Sequence, residues 1–216
     1  MGTPEPPRQS NPFSGAGGER PIVAFDFDGT LTTHDSFTAF LRWKAKPLGF
    51  FLGLTALLPH LLAYGVHGDR GRLKAAAVAR FLGGMPLEAL TEDAEAFAAR
   101  FAPSMLRPDA LRAWNRWRER GAEMVIVTAS PEITIQPFAR ALGADRLIGT
   151  RLATKDGRIT GRFDGPNCRG PEKVARLQAV FGDGVKLAAA YGDTSGDREM
   201  LRIAEAPGYR VFISRP

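Results

Sequence analysis

Cysteine and histidine are scarce in this 216-residue sequence, and their scarcity excludes several kinds of site. Cys168 is the single cysteine, so the chain offers it no disulfide partner and cannot form a cysteine-cluster zinc site. The three histidines, His34, His60 and His67, lack the spacing of a metal site. A lone cysteine is more often a small buried hydrophobic residue than a nucleophile. We therefore predict that Cys168 is buried.

Acidic residues are outnumbered by basic ones, 23 to 29, which gives a net charge of +6 and an isoelectric point of about 9.9. A basic balance favours anionic partners such as nucleic acid, anionic lipid surfaces or phosphorylated substrates. A solvated, arginine-rich surface would give the same composition. No nucleic-acid-binding motif is present, so we expect no nucleic acid partner.

A cluster of arginines, Arg112, Arg116 and Arg120, lies on one face of a predicted helix near Trp114 and Trp117. This face is either a contact for lipid headgroups or a solvated face whose tryptophans pack inward. We favour the second interpretation, because it requires no partner.

Apolar residues are few in residues 1–20, which are rich in Pro, Gly, Ser and charge. Such a segment cannot bury a core, so we predict that it is a disordered tail. It also lacks the apolar region of a secretory signal, and we expect none here.

Five apolar segments are predicted to be buried strands. They are Ile22 to Phe25, Met124 to Val127, Leu147 to Leu152, Leu187 to Tyr191 and Arg210 to Ile213. The helical patterns that separate most of them are Pro131 to Leu142, Pro171 to Phe181 and Asp197 to Ala204. This alternation predicts an α/β fold with a doubly wound parallel sheet, whose ligands bind beyond the carboxyl ends of the strands.

A long helical stretch separates the first two strands and exceeds the length of an ordinary crossover. We interpret residues 36–120 as an inserted helical cap between two core segments, 21–35 and 121–216. The predicted helices of the insertion are Ser36 to Lys46, Leu48 to Val66, Arg70 to Leu82, Pro86 to Phe101 and Pro108 to Arg120. Residues Leu147 to Phe163 are predicted to form a β-hairpin that turns at Lys155-Asp156-Gly157.

Four groups of polar residues stand at predicted strand or helix ends. In chain order they are Asp26-x-Asp28, Thr128-Ala129, Lys173, and Asp193 with Asp197. Each group is common by itself, since an isolated lysine is usually solvated and a Gly-Asp-x-x-x-Asp stretch can be a turn before a helix cap. All four in this order are far more specific. Two carboxylates at the end of a buried strand, as at Asp26 and Asp28, also need a compensating cation.

This set of groups matches the requirements of phosphate monoester hydrolysis. The dianionic ester repels a carboxylate, and a hard divalent cation with oxygen ligands, for which Mg²⁺ fits, removes the repulsion. A carboxylate nucleophile can then form an acyl phosphate, while a second carboxyl protonates the leaving alcohol and later activates water. We predict that Asp26 is the nucleophile and Asp28 the acid and base.

The remaining groups receive roles from the same requirements. Thr128 and the backbone amide of Ala129 would bind phosphate oxygens, and Lys173 would neutralise phosphoryl charge and orient the nucleophile. The predicted magnesium ligands are Asp26, the carbonyl oxygen of Asp28 and Asp193, with Asp197 as a ligand or as support.

These four motifs resemble those of the haloacid dehalogenase superfamily of aspartate-nucleophile phosphatases, and the likeness runs from Pro21 to the C-terminus. The helical insertion after the first motif resembles the phosphoserine-phosphatase-like subclass. The resemblance implies a Rossmann-like core, dependence on Mg²⁺ and an aspartyl-phosphate intermediate. A carboxyl two residues after the nucleophile, here Asp28, is typical of the phosphatases of this superfamily rather than of its dehalogenases.

The insertion leaves the substrate open. Asp35 stands where phosphoserine phosphatases carry a substrate-binding Glu, but Ala75-Ala76-Ala77 stands in the region of their substrate-binding Arg, with Lys74 out of register. The apolar insertion and the loop from Cys168 to Val174 are similar to a bacterial group that includes phosphatidylglycerophosphatase C, which implies a lipid phosphate. Asp35 and Arg169 are the candidate substrate residues.

Charged residues are absent from residues 47–68, whose length suits a membrane span. A single crossing would place Asp26 and Asp193 on opposite sides of the bilayer, although the predicted site needs both. Two alternatives stay open for this apolar segment. It is either a helical hairpin or interfacial helix that dips into one leaflet, or a cap buried against the core.

Our lead hypothesis is a cytoplasmic, Mg²⁺-dependent phosphatase that acts on a membrane-associated lipid phosphate and contacts the anionic inner face of the membrane peripherally. The first alternative is a soluble phosphatase of a small metabolite such as phosphoserine. An alternative of another class is a non-catalytic module that binds phosphate or tethers to a membrane.

Overall fold

A computed structural model describes residues 20–58 and 70–216 of the chain. The predicted tail lies outside the described residues except for Arg20, and the second half of the predicted helix Leu48 to Val66 also lies outside them. Arg20 is held to the fold, because its guanidinium donates hydrogen bonds to Asp145 and to the carbonyl oxygen of Ala122.

The sheets consist of seven described strands. They are β1 Ile22–Phe25, β2 Glu123–Pro131, β3 Arg146–Thr150, β4 Leu152–Lys155, β5 Arg158–Phe163, β6 Leu187–Gly192 and β7 Ala204–Tyr209. Five of them form a parallel sheet in the order β3-β2-β1-β6-β7, and β4 pairs antiparallel with β5. The predicted α/β fold with a parallel sheet and a β-hairpin is confirmed.

Both faces of the parallel sheet are buried, as the continuous apolar sequence of its central strands predicts. In β1, Val23 and Phe25 belong to the apolar cluster on one face, and Ala24 belongs to the cluster on the other. The ring of Phe25 lies 5.1 Å from that of Trp114 and 4.4 Å from that of Tyr191. Because the faces are filled by apolar side chains, polar groups of the central strands are found at their ends.

Helices connect and cover the strands. They are α1 Ser36–Ala56, α2 Arg70–Leu82, α3 Leu87–Met105, α4 Pro108–Glu119, α5 Glu132–Leu142, α6 Pro171–Phe181 and α7 Arg198–Arg202. Helices α1 to α4 stand between β1 and β2, where the insertion is predicted. The division into a cap of residues 36–120 and a core stays a prediction, and the structure packs Trp114 of α4 directly on the sheet.

Two smaller predictions about buried residues are confirmed. Cys168 is fully buried, and burial raises the pKa of its thiol to about 11. The tryptophans of α4 pack inward, since Trp114 is fully buried and the indole of Trp117 donates a 2.9 Å hydrogen bond to the hydroxyl of Tyr191.

Helix α1 is broken near its middle. Lys46 has φ 57° and ψ 164°, which interrupts the helix immediately before Pro47. A proline has no N–H and disfavours the helical conformation of the residue before it, so Pro47 accounts for the break. The predicted separation of two helices at this point is confirmed.

The described part of the apolar segment, residues 47–58, is buried only on one side. The ring of Phe50 stacks on that of Phe81 of α2, with centroids 5.7 Å apart. In contrast, Leu48 is 72 % exposed and Phe51 is 64 % exposed. Among the described helices, we find none with the length and apolar character needed to cross a membrane.

The prediction of a last strand from Arg210 to Ile213 is wrong. Strand β7 ends at Tyr209, and residues 211–216 have no regular secondary structure. The predicted helix Asp197 to Ala204 is also too long, since α7 ends at Arg202 and β7 begins at Ala204.

The composition of β7 explains why the sequence pattern does not reveal it. Pro207 lies in the edge strand β7, and edge strands tolerate proline. Gly208 allows a close approach to β6, because a Cβ there would lie 2.4 Å from a ring carbon of Tyr191. Both residues serve the strand, although each is a poor strand former in general.

The β-hairpin begins later than predicted. Residues Arg146–Thr150 join the parallel sheet as β3, and the hairpin consists of β4 and β5 alone. Its turn lies where predicted, with positive φ angles of 50° at Asp156 and 71° at Gly157, a conformation that Asp-Gly sequences favour.

Candidate active site

A cavity of about 510 Å³ lies at the carboxyl edge of the parallel sheet. Asp26 and Asp28 reach it from the end of β1, Ala129 from the end of β2, and Asp193 from the end of β6. Lys173 reaches it from the first turn of α6. The parallel arrangement thus brings together residues that are far apart in the chain.

Lys173 is the centre of the polar network, with 1 % of its surface exposed. Its ammonium group donates hydrogen bonds of 2.6 Å to Asp26 Oδ1, 2.7 Å to Asp197 Oδ1 and 2.6 Å to the carbonyl oxygen of Val127. Burial opposes its charge, but the two carboxylates outweigh burial and raise the pKa of Lys173. The ammonium therefore stays charged, with all three protons in hydrogen bonds.

Asp26 lies at the end of β1 with 6 % of its surface exposed. Burial raises the pKa of its carboxyl to about 7, Lys173 opposes that rise, and the neighbouring charge of Asp197 adds to it. One ammonium therefore does not fully compensate the negative charge that this cluster of carboxylates brings together.

Asp28 is held by two serines from different parts of the chain. Its Oδ1 accepts hydrogen bonds from the backbone N–H of Ser36 at 2.7 Å and from the Ser36 hydroxyl at 2.5 Å. Its Oδ2 accepts a short hydrogen bond from the hydroxyl of Ser130. Burial, followed by the nearby charge of Asp35, raises the pKa of the Asp28 carboxyl. The start of α1 and the end of β2 thus fix this carboxyl between them.

Asp193 contributes a carboxylate oxygen that has no hydrogen-bond partner among the described residues. This atom, Oδ1, is fully buried, and burial followed by the charge of Asp197 raises the pKa of the group. Carboxylate oxygens of Asp26, Asp193 and Asp197 lie within 4.8 Å of one another. An unpartnered buried oxygen in an acidic cluster suits a hard divalent cation, so these residues fit a Mg²⁺ ion.

Gly29 allows the turn after Asp28 to pack against this acidic cluster. The residue has φ 83°, which favours glycine, and a Cβ on it would lie 2.3 Å from Asp193 Oδ2. Any side chain at this position would displace Asp193.

Asp197 organises the loop after β6. Its Oδ1 accepts from Lys173, while its Oδ2 accepts from the backbone N–H and hydroxyl of Thr194, at 2.8 and 2.9 Å, and from the N–H of Asp193 at 3.2 Å. Burial acts to raise the pKa of Asp197, but the charge of Lys173 and the hydrogen bonds from Lys173 and Thr194 lower it. With both oxygens engaged, Asp197 is better suited to support the site than to ligate a metal.

The two predicted phosphate-binding residues of β2 differ in position. Ala129 lines the cavity, whereas Thr128 is fully buried and does not line it. The Thr128 hydroxyl accepts a 3.0 Å hydrogen bond from the backbone N–H of Ser130. In this structure Thr128 therefore shapes the turn that presents Ala129 and Ser130.

Asp35 and Arg169, the candidate substrate residues, both line the cavity. Asp35 caps helix α1, since its Oδ1 accepts a 2.6 Å hydrogen bond from the N–H of Thr38. Arg169 donates to the hydroxyl of Ser195 at 3.1 Å, beside the loop that carries Asp193.

Sequence reasoning missed three residues of the site: Ser36, Ser130 and Lys74. The ammonium of Lys74, from α2, lies 3.2 Å from the carbonyl oxygen of Ala129 and 3.4 Å from the Ser130 hydroxyl. A hydroxyl directly after Thr128-Ala129 is a signal that could have found Ser130. No local signal marks Ser36, and Lys74 is out of register in the sequence, because the roles of both depend on how the helices between β1 and β2 pack.

Two arginines that were not predicted bind backbone carbonyl oxygens of the loops that form the site. Arg107 donates to the carbonyl oxygens of Gly29 and Thr32, at 3.3 and 3.1 Å, and Arg210 donates to that of Asp193 at 2.7 Å. Their interaction with backbone oxygens fixes the path of the loops without adding a group to the cavity.

Sequence comparison finds relatives for almost the whole chain. The family model of haloacid dehalogenase-like hydrolases matches residues 23–202. Protein CicA of Caulobacter vibrioides is 58% identical over 96% of this chain and 94% of its own length. A phosphoserine phosphatase of Halobacterium salinarum is 28% identical over 85% of this chain and 82% of its own length.

A solved structure with the same fold comes from Bordetella pertussis Tohama I and is described as a protein of unknown function. It superimposes with a TM-score of 0.74 and 24% identity, over 88% of this chain and 89% of the other. At this identity the likeness concerns the fold alone.

Proposed function

We propose that this chain, which belongs to the haloacid dehalogenase-like hydrolase family, hydrolyses phosphate monoesters with Asp26 as the nucleophile. The observation that carries the proposal is the buried contact between Lys173 and Asp26 Oδ1 at 2.6 Å, beside the unpartnered oxygen of Asp193. A buried carboxylate that lines a cavity and is held by an ammonium is arranged for attack on an anionic group.

In the proposed first step, a carboxylate oxygen of Asp26 attacks phosphorus and forms an aspartyl phosphate. The ester P–O bond breaks, and its electron pair stays on the leaving oxygen. That oxygen takes a proton from the Asp28 carboxyl, so an alcohol leaves. Asp28 is suited to this task because Ser36 and Ser130 hold its carboxyl at the cavity.

In the second step, water attacks the phosphorus of the aspartyl phosphate and gives a proton to Asp28. The bond between phosphorus and the Asp26 oxygen breaks, which releases inorganic phosphate and restores both carboxyls. Lys173, the amide of Ala129 and Thr128 are the proposed phosphate-binding groups, Thr128 acting through the turn that it shapes.

Mg²⁺ is the proposed cofactor, and Asp26 and Asp193 with the carbonyl oxygen of Asp28 would hold it while Asp197 supports them. When bound, the ion reduces the repulsion between the attacking carboxylate and the anionic ester.

For the substrate we propose a lipid phosphate, such as phosphatidylglycerophosphate, at the cytoplasmic surface of a membrane. Apolar side chains of α1 and α2, Phe37, Leu41 and Leu73, also line the cavity. The exposed apolar side chains of residues 47–58 would contact the lipid, with Arg42 and Lys46 close to an anionic surface. Asp35 and Arg169 would contact the polar part of the substrate.

A small soluble phosphate such as phosphoserine is the second candidate. The similarity to the phosphoserine phosphatase of Halobacterium salinarum favours it. Lys74 supplies a cation at the cavity that a substrate carboxylate could contact.

The test is a panel of phosphate esters that includes phosphatidylglycerophosphate and phosphoserine, assayed with and without Mg²⁺. We expect Mg²⁺-dependent release of phosphate that is abolished in Asp26→Asn, while the exposed control Asp183→Asn retains full activity and both variants stay folded. If the wild-type protein releases phosphate from none of the esters, a non-catalytic phosphate-binding role replaces this proposal.

A further inference from the structure

A second cavity, of about 690 Å³, lies between α1 and the end of α3. We call it the tail groove and define it by its apolar wall, which is formed by Ala39, Trp43, Phe97, Phe101 and Met105. The rings of this wall pack on one another, with centroids 5.7 Å apart for Trp43 and Phe97 and 4.9 Å apart for Phe97 and Phe101. The mutual packing makes the wall a continuous apolar surface.

The tail groove adjoins the catalytic cavity. His34, Asp35 and Thr38 line both cavities, so the two meet at the first turn of α1. A molecule whose phosphoryl group lies at Asp26 would have to pass this turn to reach the groove.

We propose that the tail groove binds the hydrocarbon tail of an amphiphilic phosphate monoester while the catalytic cavity holds its phosphoryl group; this subsite rests on the phosphatase function proposed above. A cavity of this volume, with an apolar wall and polar side chains at other positions of its lining, suits a small amphiphilic molecule rather than a macromolecule. Its charged groups are Asp35 at the junction and the cations Arg42 and Lys46. Those cations lie beyond the shared first turn of α1, towards Pro47, where they would be close to an anionic lipid surface, whereas the wall offers no charge to a tail.

The surface beside the groove supports a lipid origin for this ligand. Pro47 lines the groove and begins the second half of α1, in which Leu48, Phe51 and Leu52 are exposed. Large apolar side chains exposed next to one another are typical of contact with a membrane or a partner. On a lipid surface they would bring the groove within reach of a tail without requiring transfer through water.

The first experiment measures kcat/KM for a series of alkyl phosphates from propyl to decyl, below the concentrations at which they aggregate. Each methylene that enters the groove should raise kcat/KM by up to about fourfold, until the groove is filled. A series with no dependence on chain length would overturn the subsite, although hydrolysis of propyl phosphate would still support the phosphatase function.

A variant locates the effect in the groove. Ser104 is an exposed residue of the last turn of α3 that also lines the groove, so Ser104→Trp should fill it and lower the decyl-to-propyl ratio of kcat/KM at least tenfold. The matched control, Thr154→Trp, adds the same ring to an exposed position of the β-hairpin and should keep the wild-type ratio. An unchanged ratio in Ser104→Trp would place the tail elsewhere and overturn the proposal.

A binding measurement tests the groove even if no ester is hydrolysed. An alkyl phosphonate with bromine at the far end of its chain should quench the fluorescence of Trp43, and the quenching should disappear in Trp43→Phe. Quenching that persists in this variant would show that the chain lies near Trp114 or Trp117 instead, and absence of quenching in the wild-type protein would contradict a tail site.

Discussion

The carboxyl edge of the sheet and the apolar half of α1 are opposite kinds of region. At the edge, the charged groups of Lys173 and Asp197 are buried and each makes several hydrogen bonds. In residues 47–58, large apolar side chains such as Leu48 and Phe51 lie exposed. Each region reverses the usual distribution of polar and apolar groups, which is expected where a protein binds a ligand or a surface.

The two regions should differ in how strongly a substitution affects activity and stability. Buried charges are tolerable only when their partners stay in place, so a single substitution at the edge should be severe. Exposed apolar side chains make few contacts within the fold, so their loss should cost little stability. Three substitutions test this contrast and a fourth tests a support outside both regions; they follow in order of decreasing effect.

The largest effect is expected for Lys173→Met. It leaves the buried carboxylates of Asp26 and Asp197 without their ammonium, so we expect activity to fall at least a hundredfold and the free energy of unfolding to fall by about 3–5 kcal/mol. Urea unfolding and phosphate release measure the two effects. The exposed control Lys186→Met should change neither, and a fully active Lys173→Met would refute the role given to the ammonium.

Ser130→Ala removes one of the hydrogen bonds to Asp28 and leaves Asp26, the proposed nucleophile, intact. We expect kcat to fall about tenfold, with a smaller change in KM, because the carboxyl that we propose to transfer the proton loses part of its orientation. Steady-state kinetics beside Thr154→Ala, an exposed hydroxyl on the hairpin, provide the comparison. A change confined to KM would mean that Ser130 binds substrate rather than positioning Asp28.

Asp109→Asn tests a support outside the cavity. Asp109 accepts hydrogen bonds from the hydroxyl and backbone N–H of Ser214, at 2.6 and 2.9 Å, and from the N–H of Ile213 at 2.8 Å. We expect the substitution to lower the free energy of unfolding by about 1–2 kcal/mol.

The same contacts give this effect a pH dependence. Burial acts to raise the pKa of Asp109, but the hydrogen bonds from Ser214 and Ile213 outweigh burial and lower this pKa to about 2. A carboxyl with a lowered pKa in the folded state stabilises the fold above its ordinary pKa of about 4 and loses that contribution as the pH falls through 2. The stability difference between wild type and variant should therefore be constant near neutral pH and shrink between pH 4 and pH 2. A difference that grows on acidification would contradict this assignment.

The smallest effect is expected for Phe51→Ser. Because the side chain is 64 % exposed, the free energy of unfolding should change by less than about 0.5 kcal/mol. Binding to anionic liposomes should weaken in the same variant. A large loss of stability would instead show that Phe51 is part of the core. Unchanged binding to liposomes would contradict the proposed membrane contact of Phe51.

The sequence predicts the two regions to different extents. The meeting of Asp26 and Asp193 could be predicted because the parallel sheet places the ends of its strands at one edge. Lys173 joins them from the start of a helix, which the sequence also predicts. The pairing of β7 with β6 could not be predicted. Pro207 is tolerated because β7 is an edge strand, and Gly208 is needed because it lies against the ring of Tyr191.

The packing of the inserted helices lies beyond local patterns for a similar reason. The apolar composition of residues 47–68 is compatible with burial and with exposure. For the described residues 47–58, the packing of Phe50 on Phe81 of α2 shows a side of the helix that is covered. Likewise, Ser36 and Lys74 become site residues through the way α1 and α2 lie over the sheet. The break at Pro47 could be predicted, because a proline acts on its own backbone.

The central claim is that Asp26 becomes covalently phosphorylated during turnover. The most direct measurement is acid quenching of the enzyme with a hydrolysed ester and Mg²⁺, followed by mass spectrometry of its peptides. The account predicts phosphate on the peptide that contains Asp26 and none on that peptide in Asp26→Asn. Turnover with phosphate found on a different residue, or wild-type rates in Asp26→Asn, would contradict it.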